Sequence, residues 1–167
     1  MVKIVRNHYF LYKKIFCIHT NNGDNMEQNI EFLNYIYQNA QMGIIGIDNI
    51  KKEIKDKKML KVIKEQEKDY QAICTEATKY LNKQDEDEKS IGMMAKMMTL
   101  IDAKMKTMTD KSVSNIAKMM IEGTNKGIIE IQEKLNNYED IDKKTRNLAE
   151  RLLEVEQKNI EELKKYL

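Results

Sequence analysis

Apolar residues recur at intervals of three and four along most of this chain. Ile30, Leu33, Tyr37, Ala40, Ile44 and Ile47, with Ile54 one longer step on, predict a helix over 26–54 with one apolar face. Asp24 or Asn25 is placed to cap it, and Gln28 stands at capping-box spacing from Asn25. Gly43 and Gly46 weaken its middle and can admit a neighbouring helix closely. After a polar break at Asp56, Lys57 and Lys58, a second run covers 59–83. Its seam is Leu60, Ile63, Glu67, Tyr70, Cys74, Ala77 and Leu81, with Asn82 as a stop. An acidic loop, QDEDEK, precedes a shorter helical run over 91–108 capped by Ser90. Asp110 or Ser112 then starts a long helix to about Tyr138, with the seam Val113, Ala117, Ile121, Thr124, Ile128, Ile131 and Leu135. Asp140 is expected to cap the last helix, 141–167, whose seam is Ala149, Leu153, Glu156, Ile160, Leu163 and Leu167, flanked by Leu148, Leu152 and Val155.

Composition agrees with an all-α fold. Gly is sparse at 6 residues and Pro is absent, while Lys, Glu, Met, Leu and Gln favour helices. The first 25 residues stand apart. They hold both histidines and no helical period, and Lys13 and Lys14 interrupt their apolar stretch, which spoils a signal peptide. Gly23-Asp24 can be encoded by a purine run that would serve as a ribosome-binding site just upstream of a start codon at Met26. Residues 1–25 are therefore expected to be a poorly ordered extension, either a misannotated start or a genuine arm. Residues 26–167 form the expected bundle domain, in a Lys-, Asn- and Ile-rich chain typical of an AT-rich bacterial genome.

The net charge of +2 arises in that first segment, where Lys3, Arg6, Lys13 and Lys14 face Asp24 alone. The remainder is nearly neutral, with both signs interleaved and no basic stripe, so no nucleic-acid partner is expected. Cys17 and Cys74 show neither disulfide nor zinc spacing, which fits a cytoplasmic setting. No apolar run is long enough to span a membrane.

Four helices of about 25–29 residues would each be about 40 Å long at the rise of an α-helix. Their links run short, long, short, the long one being 84–110. In helix count, length and linkage, residues 26–167 resemble the ferritin-like superfamily. That resemblance implies an antiparallel ferritin-like four-helix bundle with a Met-rich helical crossover between the second and third long helices. It also implies a two-iron site with one Glu on each of two helices and Glu-x-x-His on each of the other two. Here the corresponding positions read Glu67-x-x-Tyr70 and Glu156-x-x-Asn159. The first helix has no acid between Glu31 and Asp48, Gln41 being its nearest mid-helix polar group, and Glu122 and Glu130 lie beside the third seam. The Glu-x-x-His motifs are thus not retained. Glu67 and Glu156 are expected at the seam edge, paired with Lys or bonded to Tyr70 and Asn159.

No catalytic residue is expected. Residues 26–167 contain no His, and Cys74 reads as a small buried hydrophobe without a base. Met93/Met97 and Met94/Met98 form i, i+4 pairs, joined by Met119 and Met120. They suit core or crossover packing first, a partner groove next, and less well Cu(I) or a membrane surface. The expected function is a non-enzymatic binding or interaction protein without cofactor, whose partner is an unidentified protein or a second copy. Tyr35 and the Met-rich crossover are then natural contacts. The alternative is a divergent iron-, manganese- or copper-binding ferritin-like protein using Glu67, Tyr70, Glu122 and Glu156.

Overall fold

The computed structural model describes the backbone of residues 3–84, 109–138 and 140–167, with residues 99, 103, 106 and 107 between them, and side chains from residue 25 onward. Among the described residues there are four long helices and no strand: α1 (Lys3–Ile50), α2 (Lys57–Asn82), α3 (Val113–Asn137) and α4 (Lys143–Leu163), followed by a 3₁₀ turn at Lys164–Tyr166. None of the described helices is long and apolar enough to cross a membrane. The crossover methionines Met93, Met94, Met97 and Met98 lie outside the described residues.

Local chemistry sets the helix ends. α1 begins at Lys3, ahead of Met26, and ends at Ile50, short of Ile54. The chain then turns through Lys51–Glu53, yet Ile54 remains buried. Asp56 caps α2 by accepting the Met59 N–H at 2.7 Å, so Lys57 and Lys58 form a first helical turn where the sequence reads as a break. At α3 both candidate caps contribute. Ser112 accepts from Asn115 N–H, and Asp110 holds Ser112 through its N–H at 2.8 Å and its hydroxyl at 3.0 Å. The cap of α4 is Asp142, not Asp140, and accepts the Lys144 N–H at 2.6 Å. Two contacts delay this helix. Ile141 is drawn into the core, and Asn29 Oδ1 takes the Asp142 N–H at 3.2 Å.

The core combines Phe32, Leu33, Ile36, Ile47 and Ile50 of α1 with Ile63, Ile73 and Leu81 of α2, Ile116 and Ile131 of α3, and Leu148, Leu152 and Leu163 of α4. The buried stripe of α4 is rotated from the predicted seam. Leu148 and Leu152 are inside, whereas Leu153 is half-buried and Leu167 is 64% exposed. α1 packs against all three other helices, so it buries two adjoining stripes instead of one. Ile30, Tyr37 and Ile44 of its predicted seam fall at the margin.

Specific pairs stitch the helices together. Along α1, Glu31 meets Lys134 and Tyr138, Tyr35 meets Glu130 and Asn39 lies beside Gly127, while in the turn after α1 Glu53 meets Lys111. The Lys134 ammonium also sits 5.0 Å from the Tyr35 ring centroid and 5.3 Å from that of Tyr138, a double cation–π contact. Between α2 and α4, Asp69 pairs with Lys158 at 2.9 Å and Glu76 pairs with Arg151. Between α3 and α4, Ser114 donates to the Leu167 carbonyl at 3.3 Å.

Two helix-interior glycines are space-makers and two are not. A Cβ at Gly43 would stand 2.6–2.7 Å from the buried ring of Tyr70. One at Gly46 would meet nothing within 4 Å. Gly43→Ala should therefore cost about 1–3 kcal/mol by forcing the ring aside. Gly46→Ala should gain about 0.5–1 kcal/mol from helix propensity alone. Urea unfolding of both variants checks this; equal shifts would show that Gly43 is not spaced for Tyr70.

Candidate functional site

Most buried side chains on α2 and α4 are apolar. Thr145 at the start of α4 apart, the exceptions cluster at mid-bundle. On α2 the inward stripe runs Met59, Ile63, Gln66, Tyr70, Ile73, Cys74, Ala77 and Leu81. Gln66 takes the interior place that the sequence reading gave to Glu67, because the stripe advances from Ile63 by three residues to Gln66 and then by four to Tyr70. On α4 the stripe includes Leu152, Glu156, Asn159, Ile160 and Leu163. Glu156 and Asn159, three apart on this helix, are 2% and 1% exposed, and Tyr70 is 5% exposed.

The four residues of the candidate metal set separate. Glu67 lies at the α1–α2 edge and pairs with Lys51 at 3.3 Å, as a seam-edge acid was expected to do. Glu122 is exposed on α3. Tyr70 and Glu156 are brought together inside, and the Glu156 charge acts on the Tyr70 phenol. The expected edge position of Glu156 is thus corrected. It points into the bundle, with no lysine paired to it among the described residues, because Gly127 on α3 has no side chain to keep it out. A Cβ there would lie 2.8 and 2.9 Å from the two Glu156 carboxyl oxygens and 3.0 Å from Asn39 Nδ2.

The hydrogen-bond inventory is incomplete at this point. Gln66 Nε2 donates to the Asn159 carbonyl at 3.3 Å. Tyr70 lies beside the side chains of Thr124 and Asn159. Yet Glu156 Oε2 and both amide atoms of Asn159 are buried without a hydrogen-bond partner among the described residues. Each such orphan costs about 1–3 kcal/mol if nothing fills it. A polar chain runs from this cluster toward the surface: Asn39 Nδ2 donates to Tyr35 Oη at 3.3 Å, and Tyr35 donates to Glu130 Oε2 at 2.9 Å. The Glu130 side chain is 43% exposed, with Lys126 at 3.9 Å. Tyr35 itself is thus engaged within the chain.

Acidities follow this burial. Desolvation, reinforced by the negative charge of Glu130, pushes the Glu156 carboxyl up to about 8. Burial, then the proximity of Glu156, raises the Tyr70 phenol above its ordinary range, and burial chiefly raises Tyr35. Cys74 is buried, its thiol 3.8 Å from the Tyr37 carbonyl, and desolvation pushes it up to about 12. It is a packed thiol, not a nucleophile.

Among the described residues, no three His, Cys, Asp or Glu side chains converge. The cluster offers one carboxyl, amides, a phenol and a hydroxyl. That donor set does not fit a two-iron group, which draws on four carboxylates and two imidazoles. On the outer face of α3 and α4, a groove floored by Ile128 and Ile160 is rimmed by Glu154, Lys158, Glu161 and Lys164, and its mixed charge selects no ligand class. Comparison with protein-family models, characterised proteins and solved structures gives no match.

Stability should report the buried carboxyl. The ordinary value is 4.5 and the folded one about 8. Below the lower value both states hold the proton and folding loses nothing. Between the two, the unfolded chain releases its proton while the folded chain retains it, so stability falls by up to about 1.4 kcal/mol per pH unit and levels off above 8. With choline as the only salt cation, too large to enter and pair with the carboxylate, the wild-type thermal midpoint should fall from pH 5 to 8. Glu156→Gln, a neutral isostere of the protonated acid, should flatten that slope. Parallel pH profiles for the two proteins would refute the assignment.

Proposed function

We propose that this chain is a non-enzymatic binding or interaction protein on an antiparallel ferritin-like four-helix bundle, and that its binding group is the interior cluster of Glu156, Asn159 and Tyr70. Support for the arrangement comes from the order of contacts. Ascending residues of α1 and the turn after it (Glu31, Tyr35, Asn39 and Glu53) meet descending residues of α3 and its flanks (Tyr138, Glu130, Gly127 and Lys111). Glu67 and Tyr70 of α2 meet descending residues of α1 (Lys51 and Gly43). The two central helices then run parallel, joined by a Met-rich crossover. A cytoplasmic location and a protein partner or second copy complete the reading.

One observation carries it. Glu156 and Asn159 are almost fully buried, with polar atoms that have no partner among the described residues. Folding gains nothing from an unfilled carboxyl, and a group kept at a cost to stability marks function. With choline as the only salt cation, Glu156→Met should therefore raise the unfolding midpoint at neutral pH by a few degrees, on the order of 1–3 kcal/mol. A fall would make Glu156 a structural residue and remove the basis of the proposal.

The second reading, a divergent metal protein, is favoured by Tyr70 and Glu156 approaching from different helices. Elemental analysis of protein purified without chelators separates the two. The binding reading expects no stoichiometric iron, manganese or copper. Near-stoichiometric metal, lost in Glu156→Gln, would replace it.

A further inference from the structure

We infer that the interior cluster binds a single dehydrated monovalent cation, held by Glu156 Oε2 and Asn159 Oδ1 beside the hydroxyls of Tyr70 and Thr124. This assignment rests on the binding reading above and names its ligand class.

Four observations carry it. The first is hydrogen bonding: Glu156 Oε2 and the Asn159 amide, on one face of α4, have no partner among the described residues, whereas nearly every buried polar atom of a folded protein has one. A lone carboxyl could meet that need by pairing with Lys or Arg, but Glu156 has no such ion pair among the described residues, while Glu67, Glu76 and Asp69 around it do.

The second is donor type. Carboxylate, amide carbonyl, phenol and hydroxyl oxygens are hard donors, suited to hard cations and not to copper or other soft ions. The soft candidate nearby, the Cys74 thiol, is turned to the Tyr37 carbonyl.

Charge decides the valence. Glu156 is the one acid inside the cluster. Glu130 stands half-exposed at the end of the Tyr35 chain, with Tyr35 donating to its carboxylate. One positive charge neutralises Glu156. A divalent ion would leave a net charge in a low-dielectric interior, at a cost of several kcal/mol.

Space limits the ion's coat. The Glu156 carboxyl lies against the backbone of Gly127, and a single added Cβ would come within 2.8 Å of it. Packing this close leaves no place for a hydrated or organic cation, so an ion bound here is a bare sodium, potassium or ammonium ion.

The test uses the full chain and four chloride salts (sodium, potassium, ammonium and choline) at equal ionic strength and mildly alkaline pH. The wild-type unfolding midpoint should rise saturably by about 5 °C in one or more of the small-cation salts relative to choline. Glu156→Gln should abolish the rise, and Glu67→Gln, at the helix edge, should retain it. Equal midpoints in all four salts would overturn the cation assignment and point to water as the occupant. A rise that survives in Glu156→Gln would overturn it by placing the ion elsewhere. Stabilisation by manganese(II) chloride instead of the small monovalent cations would overturn the valence. None of these failures touches the Glu156→Met comparison, on which the binding reading stands.

Discussion

Taking a carboxyl out of water costs several kcal/mol unless a cation or a set of hydrogen bonds replaces the lost hydration. Glu156 is 2% exposed and, among the described residues, has neither a lysine nor a full set of partners. The middle of the bundle is organised around that constraint. Gly127 gives up a side chain so that the carboxyl can enter between α3 and α4. Gly43 does the same so that the Tyr70 ring can reach it from α2. A glycine within a helix costs about 0.5–1 kcal/mol relative to alanine. Two such positions on opposite sides of one polar cluster bring its members together, whereas Gly46 and Gly123 have open space above them.

The flanking layers supply the stability that the cluster lacks. Ile47, Ile50, Met59, Ile63, Ile116 and Leu163 close one side, and Phe32, Leu33, Ala77, Leu81, Leu135 and Leu148 the other. The α1–α3 seam is further fixed at one end by Lys134 between two tyrosine rings and Glu31, with Phe32 packed edge-on against Tyr138 at 5.5 Å. Between these closed ends, the chain Asn39–Tyr35–Glu130 links the cluster with the half-exposed surface. A proton or small ion exchanging with Glu156 has polar groups along that direction.

Helix number and type were legible because the 3.6-residue period is strong and no proline interrupts it. Helix ends were less so. Asp142, and not Asp140, caps α4 because Ile141 and Asn29 make tertiary contacts that no local pattern announces. The site was legible in part. The spacing singled out Tyr70 and Glu156, yet it treated Glu67 and Glu156 alike. What separates them is a neighbour: Lys51 stands opposite Glu67, and a glycine stands opposite Glu156. Sequence spacing shows which face a residue occupies, but not what the facing helix presents. Gln66 was legible too, lying three after Ile63 and four before Tyr70, and was passed over in favour of its acidic neighbour.

The central claim is that the Glu156 carboxyl is buried and holds its proton at neutral pH when no small cation is present. The most direct measurement is the carbon-13 resonance of its side-chain carboxyl, assigned by comparison with Glu156→Gln and followed through neutral pH in a choline buffer. The resonance should keep the position of a protonated acid at pH 7 and move to that of a carboxylate only near pH 8. A carboxylate position already present at pH 6 would contradict the account.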